Sequence, residues 1–357
     1  MSGLSLFRRV SGSFSQALFL LCVFSGSLSA AELSASEAPA SKASASEPSV
    51  LEMLGRMQTA VQKLNYQGTL VYLQDGNVQS MRVVHKVDQN GESERLINLN
   101  GVAREIVRKN DVVTCYMPDS KAATVGRQQF SGNLLSQLAE NDFSRLQDYY
   151  LFSFEDVERV AGQIAQRILI KPRDASRYGY RLWVDEANDI LLRFDLLDEH
   201  GEGLEQTMFA DISIGGDIPD EMLVPESHDD NFTWFKREQA EQDQKVVESR
   251  WILANLPQGF TITTQFNHQM PDSDRPTEHW VISDGLASIS IYIEQIPDGQ
   301  PAFEGASVMG ATNAFGVLKK GVLNGSYQIT VIGEVPADTV EKLARAVTLK
   351  TPDPSND

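Results

Sequence analysis

The side chains of this chain that could do chemistry are five histidines, one cysteine beyond the N-terminal region and a run of acids. His85, His200, His268 and His279 stand singly. A general base needs an oriented partner within hydrogen-bond reach, and a lone histidine on a strand or loop reads as an ordinary structural residue. Glu226, His228, Asp229 and Asp230 form the densest set of metal-ligand types. A calcium loop alternates its oxygen ligands around a turn glycine, whereas these charges are contiguous, as in a solvated segment. Cys115 follows Val113 on a predicted strand with no helix start or basic pair beside it, so it reads as a small apolar residue rather than a nucleophile. There is no Gly-x-Ser-x-Gly elbow, phosphate loop, His-Glu-x-x-His or Gly-x-Gly-x-x-Gly. The expectation is a protein that is not an enzyme, binds no metal and uses no cofactor.

Chemistry of another kind, binding, depends on where the chain works. Arg8 and Arg9, the apolar run from Phe14 to Phe24 and the small residues from Ser25 to Ala31 predict a secretory signal peptide over 1–31, cleaved after Ala31. Its apolar core is shorter than the roughly 20 residues of a membrane span. Cys22 leaves with the peptide, because Leu21 sits where a lipidation site needs a small residue. The mature chain then holds Cys115 alone and forms no internal disulfide. It also holds 29 basic against 49 acidic residues, a net charge of −20, which repels nucleic acid.

The elements that must position any site follow from periodicity. Residues 32–48, rich in Ala, Ser, Glu and Pro, read as a flexible leader. Ser49 with Glu52 predicts a capped helix whose Val50, Leu54, Met57, Val61 and Leu64 share a face. From Tyr66 to Ile214 short period-two runs predict an antiparallel meander: 68–73, 79–86, 94–98, 104–108, 112–116, 166–171, 180–185, 190–196 and 205–212, separated by turns such as Asp75-Gly76-Asn77 and Asn90-Gly91. A helix from Asn133 to Leu146 is expected to lie across that curved sheet. The first domain is placed at 49–224 and an irregular charged connector at 225–248. A second domain at 249–350 has strands near 261–266, 278–283, 287–294 and 327–333 and a closing helix from Asp338 to Val347. The tail is 351–357. The fold class is mainly β (α+β).

Alternation draws one inward set from the first sheet: Leu70, Tyr72, Met81, Val83, Leu96, Ile106, Leu169, Leu182, Val184, Leu191 and Met208. It either packs solid or lines a lipid pocket, and close-packed interiors favour the first for an arbitrary meander. Arg82, Arg95, Arg104 and Arg108 come early in an acidic chain and are candidates to meet an anionic headgroup, although outward charges on a sheet are commonplace.

Several strings resemble the periplasmic regulator family called RseB or MucB. They are Tyr66-Gln67-Gly68-Thr69-Leu70-Val71-Tyr72, His85-Lys86, Glu94-Arg95-Leu96, Gly101-Val102-Ala103-Arg104-Glu105-Ile106-Val107-Arg108 and Tyr178-Gly179-Tyr180-Arg181-Leu182-Trp183-Val184-Asp185. Later ones are Leu196-Leu197-Asp198, Glu205-Gln206-Thr207-Met208-Phe209, Leu256-Pro257-Gln258-Gly259-Phe260, Ser283-Asp284-Gly285-Leu286-Ala287-Ser288 and Gly333-Glu334-Val335-Pro336, so the likeness spans nearly the whole mature chain. The resemblance implies a periplasmic protein that binds the periplasmic part of a membrane-spanning anti-sigma factor, RseA or MucA, and shields it from proteolysis. It implies a first domain like the carriers LolA and LolB, a half-barrel with a helical lid. It further implies that lipid or lipopolysaccharide loosens the grip, which the connector and the second domain largely carry. Trp234, Phe235 and Trp251 then become candidates for the partner surface, while a buried Trp251 would instead be core. Self-association stays open. The rival reading is a periplasmic lipid or lipoprotein carrier, which would have no need of the second domain.

Overall fold

The computed structural model describes residues 49–127, 142–226, 232–236, 249–269, 276–297, 301–323 and 325–350. The signal peptide, leader and tail expected from the sequence lie outside the described residues. So do most of the helix expected from Asn133 to Leu146, the segment containing His228, Asp229 and Asp230, and most of the connector.

Helix α1 (Val50–Lys63) opens with the expected capping box: the Glu52 amide donates to Ser49 Oγ at 3.2 Å, and the Ser49 amide donates to Glu52 Oε2 at 2.6 Å. Strands follow as β1 (Tyr66–Gln74), β2 (Asn77–Asp88), β3 (Gly91–Asn98), β4 (Glu105–Lys109), β5 (Val112–Met117), β6 (Ala122–Arg127), β7 (Tyr150–Val160), β8 (Gln163–Pro172), β9 (Gly179–Asp185), β10 (Leu191–Leu197), β11 (Gly203–Ile214) and β12 (Thr233–Lys236). They form one open sheet in the order β12-β6-β5-β4-β3-β2-β1-β11-β10-β9-β8-β7. Two meanders therefore meet where β1 pairs with β11. Asp75 and Gly76, both with positive φ, make the two-residue turn that matches the twist of β1 and β2.

Two features depart from expectation. The stretch read as irregular connector contains β12, and β12 joins β6 in parallel, so the sheet is mixed rather than purely antiparallel. Thr-Trp-Phe is a strong strand former and finds a free edge there. Near the end of the expected helix, Arg145–Asp148 is a short 3-10 turn that buries Leu146.

α1 buries Met53, Leu54, Met57, Ala60 and Val61 in one apolar cluster with Leu70, Val83, Leu96 and Leu182 from the sheet. The second unit has β13 (Trp251–Leu253), β14 (Thr261–Gln269), β15 (Pro276–Ser283), β16 (Ser288–Ile296), β17 (Gly305–Met309), β18 (Thr312–Val322), β19 (Gly325–Gly333), α2 (Ala337–Ala346) and β20 (Val347–Leu349). Its sheet runs β14-β15-β16-β19-β18-β17, and β13 pairs separately with β20. Trp280, Ile291, Val331, Val340 and Leu343 fill its core. Among the described residues no helix is long and apolar enough to cross a membrane.

Candidate functional site

Register decides which of the expected inward residues share a face. Leu70 lies opposite Met81 and Phe209, Val83 opposite Leu96, Leu96 opposite Ile106, and Leu191 opposite Val184. Tyr72, two residues from Leu70, and Leu182, two from Val184, join them. Leu169 and Met208 do not. Leu169 pairs with Arg181 while Ile168 and Ile170 are fully buried, and Met208 pairs with Val71 and Arg193 while Phe209 turns inward. A one-residue change of phase puts a side chain on the other face. Leu70, Val83, Leu96, Leu182, Val184 and Leu191 are buried in the cluster with α1, so this part of the face is packed; Tyr72, Met81 and Ile106 are half-buried.

The four arginines do not converge. Arg82 and Arg104 are exposed. Arg95 is buried, with Nε 2.6 Å from Glu105 Oε1, Nη1 donating to the Met222 carbonyl at 3.0 Å and Nη2 3.0 Å from Glu226 Oε1. Its charge is already neutralised inside the fold, which corrects its assignment to a headgroup. Arg108 stands on the other face, paired with Glu92 and with Glu94 at 3.2 Å.

That second network is a buried polar stack. His85 is 1% exposed, stacks on Tyr66 at 4.6 Å, and sets Nδ1 2.8 Å from the Leu64 carbonyl and Nε2 2.9 Å from Glu92 Oε1. Burial works against the charge on Glu92, but hydrogen bonds from His85 and Arg108 outweigh it and hold the carboxyl at about 2 against an ordinary 4.5. A carboxylate depressed in this way contributes stability in full above its unfolded value and loses it as the pH falls towards the folded one. Allowing for the partial exposure of Glu92, about 2 kcal/mol should be lost between pH 5 and about pH 2. Urea unfolding across that range should show a flatter pH dependence for Glu92→Gln than for the parent; parallel curves would remove this account.

The three aromatic candidates separate. Trp251 is 5% exposed, packs edge-on against Tyr327 at 5.2 Å and belongs to the second core. It is not a surface anchor, because its indole closes the β13–β20 corner. Trp234 and Phe235 are each 53% exposed on the edge strand β12. Trp234 packs edge-on against Tyr116 at 5.8 Å, and Phe232 meets the same ring edge-on at 5.9 Å.

Sequence reasoning missed the joint between the two sheets. Arg177, in the turn between β8 and β9, sets Nη1 2.6 Å from Asp284 Oδ2 in the turn between β15 and β16, with both side chains fully buried. Asp174 lies 3.1 Å from the same guanidinium and the Gln258 carbonyl accepts from it. The rings of Phe260, Tyr149 and Tyr150 surround it at 4.7, 5.4 and 5.5 Å. Burial raises the Tyr150 hydroxyl well above the usual phenol range, so it stays protonated and donates to Asp284 at 2.9 Å. Gly259, at φ +88°, lets the Gln258–Phe260 loop lie flat on Tyr149; a Cβ there would stand 2.7 Å from the ring.

Three further ties cross the joint. Asn313 Nδ2 donates to the Tyr178 hydroxyl at 3.0 Å, Thr339 Oγ1 donates to the Ser176 carbonyl at 3.0 Å, and the Ala311 amide donates to Glu205 Oε1 at 3.2 Å. Glu205 also accepts from Tyr72 at 2.7 Å. Beside the joint opens a cleft of about 900 Å³ bordered by Lys171, Arg173, Arg181, His200 and Asp338. Directional contacts of this kind fix one arrangement of the two sheets.

The MucB/RseB N-terminal domain model matches residues 49–227, and the MucB/RseB C-terminal domain model matches 245–348. The sigma factor AlgU regulatory protein MucB of Pseudomonas aeruginosa is 30% identical over 308 residues, covering 83% of this chain and 90% of that protein. The sigma-E factor regulatory protein RseB of Escherichia coli K12 is 27% identical over 313 residues, covering 84% and 91%. Among solved structures, MucB in complex with MucA(peri) aligns with 28% identity and a TM-score of 0.67 over 85% of this chain and 100% of that one. The structure of MucB aligns with 25% identity and a TM-score of 0.56 over 84% and 97%.

Proposed function

Because the chain belongs to the MucB/RseB family, we propose that it is a periplasmic binding protein that holds the periplasmic segment of a membrane-spanning anti-sigma factor and shields it from proteolysis. It restrains the sigma-E response in this way and acts by binding, not catalysis. The observation that carries this reading is the match of both family domains, in order, along one chain whose relative is solved with MucA(peri) bound.

In this proposal residues 49–224 and 249–350 are the two domains, 225–248 joins them, and the Arg177–Asp284 joint is the hinge lock. Lipid or lipopolysaccharide favours a different arrangement and so weakens the partner, and the partner weakens the lipid by the same factor. A hundredfold displacement needs a coupling of about 2.7 kcal/mol. The half-buried Tyr72, Met81 and Ile106 mark where an acyl chain would enter the first domain. Calorimetry of the mature chain with its cognate anti-sigma segment, with and without lipopolysaccharide, tests both halves. Submicromolar binding weakened by the lipid is the expected result; undisturbed binding at saturating lipid would remove the coupling, and no binding at all would remove the regulator.

A further inference from the structure

The turn between β3 and β4 is built in reverse of the usual loop. Its polar side chains turn onto backbone: Asn100 Oδ1 accepts from the Ser80 amide at 2.7 Å, Asn100 Nδ2 donates to the Val78 carbonyl at 2.8 Å, and Asn98 Nδ2 donates to the Val102 carbonyl at 3.0 Å. Asp119, from the next turn, accepts from the Ala103 amide at 3.3 Å. The aliphatic side chains face water instead: Val102 is 70% exposed, Val78 53% and Leu99 51%. Single apolar residues on a surface are ordinary, but these three stand on neighbouring tips tied together by those hydrogen bonds.

The adjoining β17–β18 turn, whose Gly310 sits against Gln74, adds the exposed Val308 and Met309. Around this end Arg82, Arg104 and Lys121 are exposed and hold no ion pair among the described residues, in a chain that is otherwise strongly acidic. Asp75 and Asp119 are the acidic groups of the same turns, and Asp119 is engaged by the Ala103 amide.

We propose that this tip docks on the surface of a phospholipid bilayer, with Val78, Leu99 and Val102 at the boundary between headgroups and acyl chains. Aliphatic tips enter that layer and gain the free energy of leaving water, while long cationic side chains reach back to lipid phosphates. The site lies off the inner face of the sheet, and its Lys121 borders the candidate partner strand, since the Thr233 amide of β12 donates to the Lys121 carbonyl at 2.8 Å. It leans on the proposed function only for proximity, since a membrane-anchored partner would bring the tip to the bilayer.

The test is co-sedimentation of the mature chain with vesicles of phosphatidylethanolamine and phosphatidylglycerol, beside a solution assay for the anti-sigma segment. Leu99→Asp with Val102→Asp should reduce partitioning at least about tenfold and leave segment binding unchanged, and Arg82→Gln with Arg104→Gln should remove its salt sensitivity. Three results would overturn the inference: a parent chain that stays in the supernatant, tip variants that sediment equally well, or tip variants that lose the segment and keep the vesicles. Vesicle binding through the tip in a chain that ignores the segment would uphold docking and refute the regulator.

Discussion

Arg177→Ala is expected to lower the unfolding free energy by about 3–5 kcal/mol, the cost of stranding a buried charge without its partner. Asp284 is fully enclosed and keeps only neutral donors after the change: the Tyr150 hydroxyl and the amides of Leu286 and Ala287, at 2.9, 2.9 and 2.8 Å. The aromatic cage of Phe260, Tyr149 and Tyr150 would at the same time lose its occupant. Urea unfolding should show the loss, together with separation of one transition into two as the sheets part. Arg177→Met combined with Asp284→Leu should recover most of the stability, because an apolar pair of similar volume avoids the desolvation cost of both charges. A single-variant loss below about 1 kcal/mol would mean that water reaches the pair and that the joint is no lock.

That pair had no local signature in the sequence. Arg177 sits in Asp174-Ala-Ser-Arg and Asp284 in Ser283-Asp-Gly, both of which read as turns, and 107 positions separate them. Elsewhere local patterning was enough. α1 followed from Ser49, Glu52 and a period near 3.6, and the hairpins from alternation broken by Asp-Gly and Asn-Gly. It failed where alternation is broken or ambiguous. β7 carries a bulge between Phe154 and Val157, and β18 contains Gly316, which the Phe303 carbonyl approaches too closely for a side chain. Ile168-Leu169-Ile170 and Met208-Phe209 are consecutive apolar residues, so only strand register says which one points inward. The arginines were more legible than their grouping allowed. If Leu96 and Ile106 point inward, Arg95 must point outward and Arg108 inward, which already divides the set.

Trp234→Ala with Phe235→Ala is expected to weaken binding of the anti-sigma segment by at least about 30-fold, or about 2 kcal/mol, with stability changed by less than about 1 kcal/mol. β12 is four residues long, lies at the edge of the sheet, and presents the two rings to opposite faces. Trp234 is held edge-on by Tyr116, so its orientation is set before a partner arrives and less entropy is lost on binding. An extended partner segment laid along this edge would find backbone groups with no neighbouring strand among the described residues and an aromatic anchor on each side. Each single variant should therefore retain part of the affinity, and the double variant should lose more than either. If the double variant binds as the parent does, the grip lies elsewhere, and the exposure of these rings has to be explained by something other than this partner.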